Sequence, residues 1–175
     1  MKKIQPDKIP RITKNLKKLE KELNIKIKHE GKEIIIEGNP EEEYVAEKVI
    51  DALSFGFPFS IALSLKEESI FEIINIKEHA RTKDLPRIRA RIIGKKGRAL
   101  KTLTSLTNCN FEVKDNKVGI IGEPEFIENA TEAIIFLTKG TKHGNVYAFL
   151  EKHQIQPIED LGLIEKKKRK KKRPE

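Results

Sequence analysis

The chain repeats itself at one fixed offset, and this limits the fold more than any other feature of the sequence. Slid along itself without a gap, it places Ile9 on Ile93, Leu16 on Leu100, Leu19 on Leu103 and Asn24 on Asn108. The same offset places Ile36 on Ile120, Gly38 on Gly122, Pro40 on Pro124, Ala46 on Ala130, Leu53 on Leu137 and Gly56 on Gly140. Apolar character carries over too, with Ile25 on Cys109 and Ile27 on Phe111. A single register, held without a gap from Ile9 to Gly56, means two copies of one domain. The 175 residues suffice for two small domains. The copies are expected over residues 1–68 and 69–160, with a boundary near Lys66-Glu67-Glu68 and a tail over 161–175.

Each copy has a readable order of elements. In the second, Ser69 to Ile76 is β-branched and aromatic, as a strand requires. Leu85, Ile88 and Ile92 recur at helical spacing, and Leu100, Leu103 and Leu106 start a second helical stripe. Phe111 and Val113 alternate with polar neighbours, Asp115-Asn116 makes a turn, and Val118 to Ile121 is the next strand. Pro124 opens a helix whose stripe is Ile127, Ala130, Ile134 and Leu137, with Gly140 past its end. The first copy follows the same order, with Ile34-Ile35-Ile36 as central strand and Glu42 to Leu53 as last helix. The expected class is α+β: a three-stranded sheet packed on three helices, twice over.

Charge is concentrated in two places. The net +9 leaves residues 1–68 neutral, with 13 basic and 13 acidic residues. From Arg81 to Lys101 there are nine basic residues and one acid, Asp84. Positive charge packed into one structured segment points to a polyanionic partner. The run Lys166 to Arg173 is different in kind. Like charges so dense repel and bury nothing, so this tail is expected to be disordered and to act as an electrostatic arm.

The structured cluster holds Gly94-Lys95-Lys96-Gly97 between its two helical stripes. A short turn there aims the second helix's free amides and positive dipole end at whatever lies over it, which favours phosphate. Glycines let a nucleic-acid backbone approach closely, and Lys95 and Lys96 add full charge. Ile92 and Ile93 beside the loop offer an apolar floor for unstacked bases. Arg87, Arg89, Arg91, Arg98 and Lys101 surround it as donors to phosphates, base edges or base faces. Lys142 and His143 lie in a Gly-flanked loop, where His143 is either a surface or capping residue or a base-stacking one. In the first copy the offset puts Pro10-Arg11-Ile12-Thr13 on the glycine loop, so that copy should not clamp RNA and is expected to pack, to dock protein or to touch RNA through Arg11, Lys14 and Lys17.

Ile92-Ile93-Gly94-Lys95-Lys96-Gly97-Arg98, followed by a leucine helix and a strand pair, resembles a type I KH domain. Such domains clamp about four nucleotides of single strand over the glycine loop. A degenerate copy before an intact one, together with Gly140-Thr141-Lys142-His143-Gly144-Asn145-Val146-Tyr147, resembles the archaeal Dim-two proteins, relatives of the partner-of-NOB and Krr-type ribosome-assembly factors. The likeness runs to about Asp160. It implies binding near the 3′ end of small-subunit rRNA during subunit maturation, alongside the endonuclease that trims it and within pre-ribosomal particles.

Other chemistries find no support. One cysteine, Cys109, allows neither an internal disulfide nor a cysteine-based metal site, and reads as a buried small hydrophobe. The four histidines lack metal-ligand spacing, and there is no P-loop or dinucleotide fingerprint. No cofactor and no enzymatic activity are expected. No signal-peptide core or membrane-length apolar run exists, so a cytosolic protein without membrane contact is the expectation. A monomer is expected as well. Glu41-Glu42-Glu43 suits the first turn of a helix, and Phe55, Phe57 and Phe59 suit core or inter-domain packing. Two rivals to the assembly factor remain: a protein-docking adaptor and an exosome-type RNA-turnover component.

Overall fold

The structure is a computed structural model that describes residues 1–6 and 9–154. The basic tail expected over 161–175 lies outside the described residues. The fold is mixed α+β. In the first half, strand β1 (Lys2–Ile4) leads through helices α1 (Ile9–Thr13) and α2 (Leu16–Leu23) to β2 (Lys26–Glu30), β3 (Glu33–Glu37), α3 (Pro40–Phe55) and the short α4 (Phe59–Leu63). In the second, β4 (Ile70–Asn75) leads through α5 (Ile76–His79), α6 (Leu85–Ile93) and α7 (Arg98–Thr107) to β5 (Asn110–Lys114), β6 (Lys117–Gly122), α8 (Pro124–Thr138) and α9 (His143–Lys152).

Each half has one antiparallel sheet, and both sheets place their last strand in the middle, in the orders β1-β3-β2 and β4-β6-β5. The pairing repeats with the sequence: Ile27 faces Ile36 in one sheet, and Phe111 faces Ile120 in the other. Local chemistry explains the ends. Asn24 and Asn108 both stop their helix in the left-handed conformation, which Asn tolerates better than most residues. Asn39 and Glu42 form a reciprocal capping box at α3, behind Pro40.

Two cores result. Ile12, Leu19, Ile34, Ile36 and Ile50 are fully buried in the first, and Ile92, Leu103, Ile120, Ile134 and Leu137 in the second. Each such side chain contributes about 1.5–3 kcal/mol by burial. The halves join where Phe55 and Phe57, at the end of α3, pack edge-on to Phe71 of β4, with ring centroids 5.8 and 5.7 Å apart. Ile121, on the same face of that sheet as Phe71, belongs to the first core.

The copies differ at their beginnings. Lys2 pairs with Ile36 and Glu72 with Ile120. Ile36 and Ile120 are superposed by the repeat, so Lys2 answers to Glu72, and the first strands stand closer in sequence than the later elements do. The helix between them is offset differently again. Arg11 donates to the carbonyl of Gly56 at 2.6 Å, and Arg91 donates to the carbonyl of Gly140 at 3.2 Å. The repeat superposes the two glycines, whereas it carries Arg11 four positions past Arg91. Hence α1 corresponds to the end of α6, and fully buried Ile12 corresponds to Ile92. The expectation that Pro10-Arg11-Ile12-Thr13 replaces the glycine loop is therefore corrected. Those residues lie in a helix, and the first copy lacks the four loop residues, crossing to α2 through Lys14 and Asn15.

Candidate nucleic-acid interface

Helix α6 stops because Gly94 adopts φ +74° and ψ 170°, which an L side chain resists. A Cβ on Gly94 would stand 2.6 Å from Cβ of Ala99 and 2.7 Å from its amide nitrogen. The first turn of α7 thus folds directly over this glycine. The chain then makes one tight turn in which Lys96 (φ +54°) and Gly97 (φ +75°) are left-handed. The Gly97 amide closes the turn on the Gly94 carbonyl at 3.1 Å. A Cβ on Gly97, by contrast, would meet no atom within 4 Å. One glycine is required by the protein's own packing; the other leaves open space at the surface.

The electrostatics follow from this turn. Gly97 is the N-cap of α7 and no side chain caps it; the Arg98 amide turns back to the Lys95 carbonyl, and the positive end of the helix dipole points at the turn. Lys95 and Lys96 are exposed at that positive end, with Arg98 and Lys101 exposed beside them on α7. None of the four makes an ion pair among the described residues. Arg87 is exposed on α6, where Asp84 accepts from its amide at 3.2 Å and so caps the helix. Arg89 donates from Nη1 to the carbonyl of Asp115 at 3.0 Å, tying α6 to the β5–β6 turn.

Arg91 has a different job from the one its sequence position suggests. Its Nη2 donates to the carbonyls of Gly140 and Thr141, and Nε is buried without a partner among the described residues. His143 pairs through Nε2 with the Arg91 carbonyl at 2.9 Å. This clasp fixes the segment between α8 and α9 against the end of α6, with Lys142 exposed between the two tethered residues Thr141 and His143. Arg91 and His143 are half-buried tethers here, and His143 opens α9 instead of lying in a loop.

Ile92 and Ile93 separate. Ile92 is 0% exposed and belongs to the core, whereas Ile93 is 36% exposed beside Gly94. The apolar floor beside the loop is Ile93; Ile92 supports it from below, since the helical stripe that runs through Leu85 and Ile88 points it inward. Sequence reasoning misses Ala99, whose small side chain lets α7 close over Gly94. The only signal is a small residue two places after the motif.

Among the described residues, no group of three or more His, Cys, Asp or Glu side chains gathers as a metal site, and no helix is long and apolar enough to cross a membrane.

A three-stranded sheet on helices, with an intact Gly-Lys-Lys-Gly turn between two of them, defines a KH domain of type I, a nucleic-acid-binding class. Residues 70–155 match the family of the second Pno1 KH domain, described as a eukaryotic type KH-domain (KH-domain type I). The chain is 31% identical to Dim2p from Pyrococcus horikoshii, whose crystal structure it matches with a TM-score of 0.79 over 86% of this chain and 98% of that one. A second Pyrococcus horikoshii structure, of an a/eIF2alpha–aDim2p–rRNA complex, matches at 30% identity and a TM-score of 0.77, over 87% of this chain and 93% of that one. A KH domain-containing protein of Methanocaldococcus jannaschii is 34% identical over 80% of this chain and 66% of its own length. The pre-rRNA-processing protein pno1 of Emericella nidulans is 29% identical over 61% of this chain and 43% of its own. The chain belongs to the archaeal Dim2p and Pno1 family of KH proteins.

Proposed function

We propose that this chain is a non-catalytic, single-stranded-RNA-binding assembly factor of the small ribosomal subunit, acting near the 3′ end of its rRNA. The observation that carries the reading is the space left open over Gly97 by the described residues, flanked at the start of α7 by Lys95 and Lys96, which make no ion pair among them. A phosphate over this turn would meet the positive end of the α7 dipole and two full charges, and no Cβ keeps the backbone away. Ile93 and Arg98 would lie beside the bases, with Arg87, Arg89, Lys101 and Lys142 as an outer ring of positive charge. The ribosomal assignment draws on the relatives: one is called a pre-rRNA-processing protein, and another forms a complex with rRNA. A maturation endonuclease and pre-ribosomal particles are the proposed partners.

The test is single-stranded RNA binding by the wild type and by a Lys95→Asp, Lys96→Asp double variant, each with and without residues 166–175. The variant should bind at least tenfold more weakly at moderate salt; equal affinity in the shortened chain sinks the loop reading. Binding to the 3′ end of small-subunit rRNA, but not to a scrambled strand, would support the ribosomal part.

For the first half we propose a degenerate KH copy over residues 1–68 that docks protein, paired with the gripping copy over 69–160. The missing loop favours this reading, as does Tyr44, 58% exposed on α3 with Lys48 Nζ 5.4 Å from its ring centre. Loss of a protein partner on Tyr44→Ala, with RNA affinity unchanged, is the expected result.

A further inference from the structure

A cleft of about 680 Å³ opens where the halves meet. Lys48 and Asp51 of α3 line one wall, and Ile73 of β4, Lys77 of α5 and Lys117 of β6 line the other. We propose that this cleft takes nucleotides of the same RNA strand beyond those held at the glycine loop, an inference that rests on the loop reading above.

Three observations point to RNA. Lys48, Lys77 and Lys117 make no ion pair among the described residues; Lys77 and Lys117 are exposed, and Lys48, whose Nζ lies 5.4 Å from the Tyr44 ring centre, stands at the border with the docking face of α3. Three ammonium groups around one opening suit a phosphodiester backbone. Ile73 is 47% exposed at the cleft, which gives a base face an apolar surface to lie on. The cleft is also joined to the loop. Arg89 of α6 bonds to the carbonyl of Asp115, and the β5–β6 turn that it holds forms part of the cleft lining. Arg89 stands one helical turn before Ile93, the residue beside Gly94, so one edge of α6 connects the loop with the turn that lines the cleft. Asp51 also lines the opening, and its carboxylate can accept a hydrogen bond from a base amino group, a donor that acidic side chains lack.

The experiment compares RNA lengths on the full chain. Wild type and a Lys48→Glu, Lys77→Glu, Lys117→Glu triple variant are titrated with single-stranded RNA of about four and about twelve nucleotides. The triple variant should bind the short RNA as wild type does, which also shows that it is folded. It should bind the long RNA at least roughly tenfold more weakly, with the salt slope reduced by about 2, at roughly 0.7 for each of three phosphates. Long RNA bound as tightly as by wild type overturns the proposal. So does an equal loss on both lengths, because the effect is then not local to the cleft. A polyglutamate peptide that binds wild type but not the triple variant, with RNA unaffected, assigns the cleft to protein instead. The Lys95→Asp, Lys96→Asp variant separates the two readings: full binding of short RNA by that variant refutes the loop reading whatever the cleft does.

Discussion

Gly122 lies against Cys109 so closely that a Cβ on the glycine would stand 2.5 Å from the cysteine sulfur and 3.2 Å from its Cβ. The first copy has the same contact between other residues: a Cβ on Gly38 would stand 2.9 Å from Cγ2 of Ile25. Both pairs have the same spacing in the chain, and the repeat superposes one pair on the other. In each, the end of the central strand passes over the residue that leads out of the second helix. The repeated Gly38 and Gly122 thus mark a packing requirement. Gly122→Ala should destabilise the protein by about 1–3 kcal/mol through overpacking. Combined with Cys109→Ala, the cost should shrink, since the smaller side chain makes room; additive costs in chemical denaturation would refute the contact as its cause.

The thiol itself should be inert. Cys109 is 0% exposed, and burial pushes its pKa up to about 11. Native protein at pH 8 should therefore resist thiol-alkylating reagents that label the unfolded chain at once. The folded-state value lies above the unfolded one, so the associated stability is fully present below the unfolded thiol's pKa. It should fall as pH rises toward about 11, by at most about 1.4 kcal/mol per pH unit. Rapid labelling at pH 8, or a flat profile for wild type against Cys109→Ala in that window, would contradict this.

The two loop glycines should fail differently. Gly94→Ala forces a Cβ onto the backbone of Ala99 in a left-handed conformation, so a loss of about 3 kcal/mol in stability is expected. Gly97→Ala has open space and should cost only about 1–2 kcal/mol for its positive φ. On the proposed function, both should weaken RNA binding, Gly97→Ala while the protein stays folded. Thermal melts and RNA titrations on the same samples check the pair, and a Gly97→Ala protein that binds RNA normally would count against close approach at this site.

Much of this is legible in the sequence. The strand pairs, the long helices and the glycine loop all announce themselves through period and turn chemistry. The relation of the first copy's loop to the second's does not. A helix repeats its apolar face every three to four residues, so a four-residue deletion slips the chain by about one turn and leaves the pattern intact. Ile9 falls on Ile93 for that reason, although the paired bonds of Arg11 and Arg91 put α1 four residues out of that register. Ile92 is misread for a related reason: adjacent isoleucines look alike in a motif, and only helix phase sends one inward and the other outward. The Arg91 clasp is invisible in the sequence, because its acceptors are backbone carbonyls far along the chain, at Gly140 and Thr141.

That clasp predicts a separation of stability from charge. Arg91→Ala leaves two carbonyls without their donor and frees the segment between α8 and α9, so stability should fall by about 1–3 kcal/mol. Arg91→Lys should recover part of the loss, because a single nitrogen, Nη2, serves both Gly140 and Thr141 and an ammonium carries three donors on one nitrogen. The salt dependence of RNA binding should be nearly unchanged in both variants, since Arg91 faces protein. Lys96→Ala should do the opposite, lowering the salt slope by about 0.7 with stability intact. If Arg91→Ala lowers the slope as Lys96→Ala does, Arg91 contacts phosphate, and its role as a tether is wrong.

The joint between the halves can be tested from either side. Phe57 is 2% exposed, and a Cβ on Gly119 of β6 would stand 2.9 Å from its ring and 2.8 Å from that of Phe55. The aromatic pair thus lies on a strand that has no side chain at that point. Phe57→Ala should cost about 3–5 kcal/mol, and Gly119→Ala about 1–3 kcal/mol. Because the contact spans both halves, either change should let the first half's amides exchange hydrogen independently of the second's, whereas wild type should protect both together. The cleft at the same joint would lose its shape. Binding of long RNA should then weaken while short RNA is held as before. Unchanged exchange in both variants would show that the rings do not couple the two sheets.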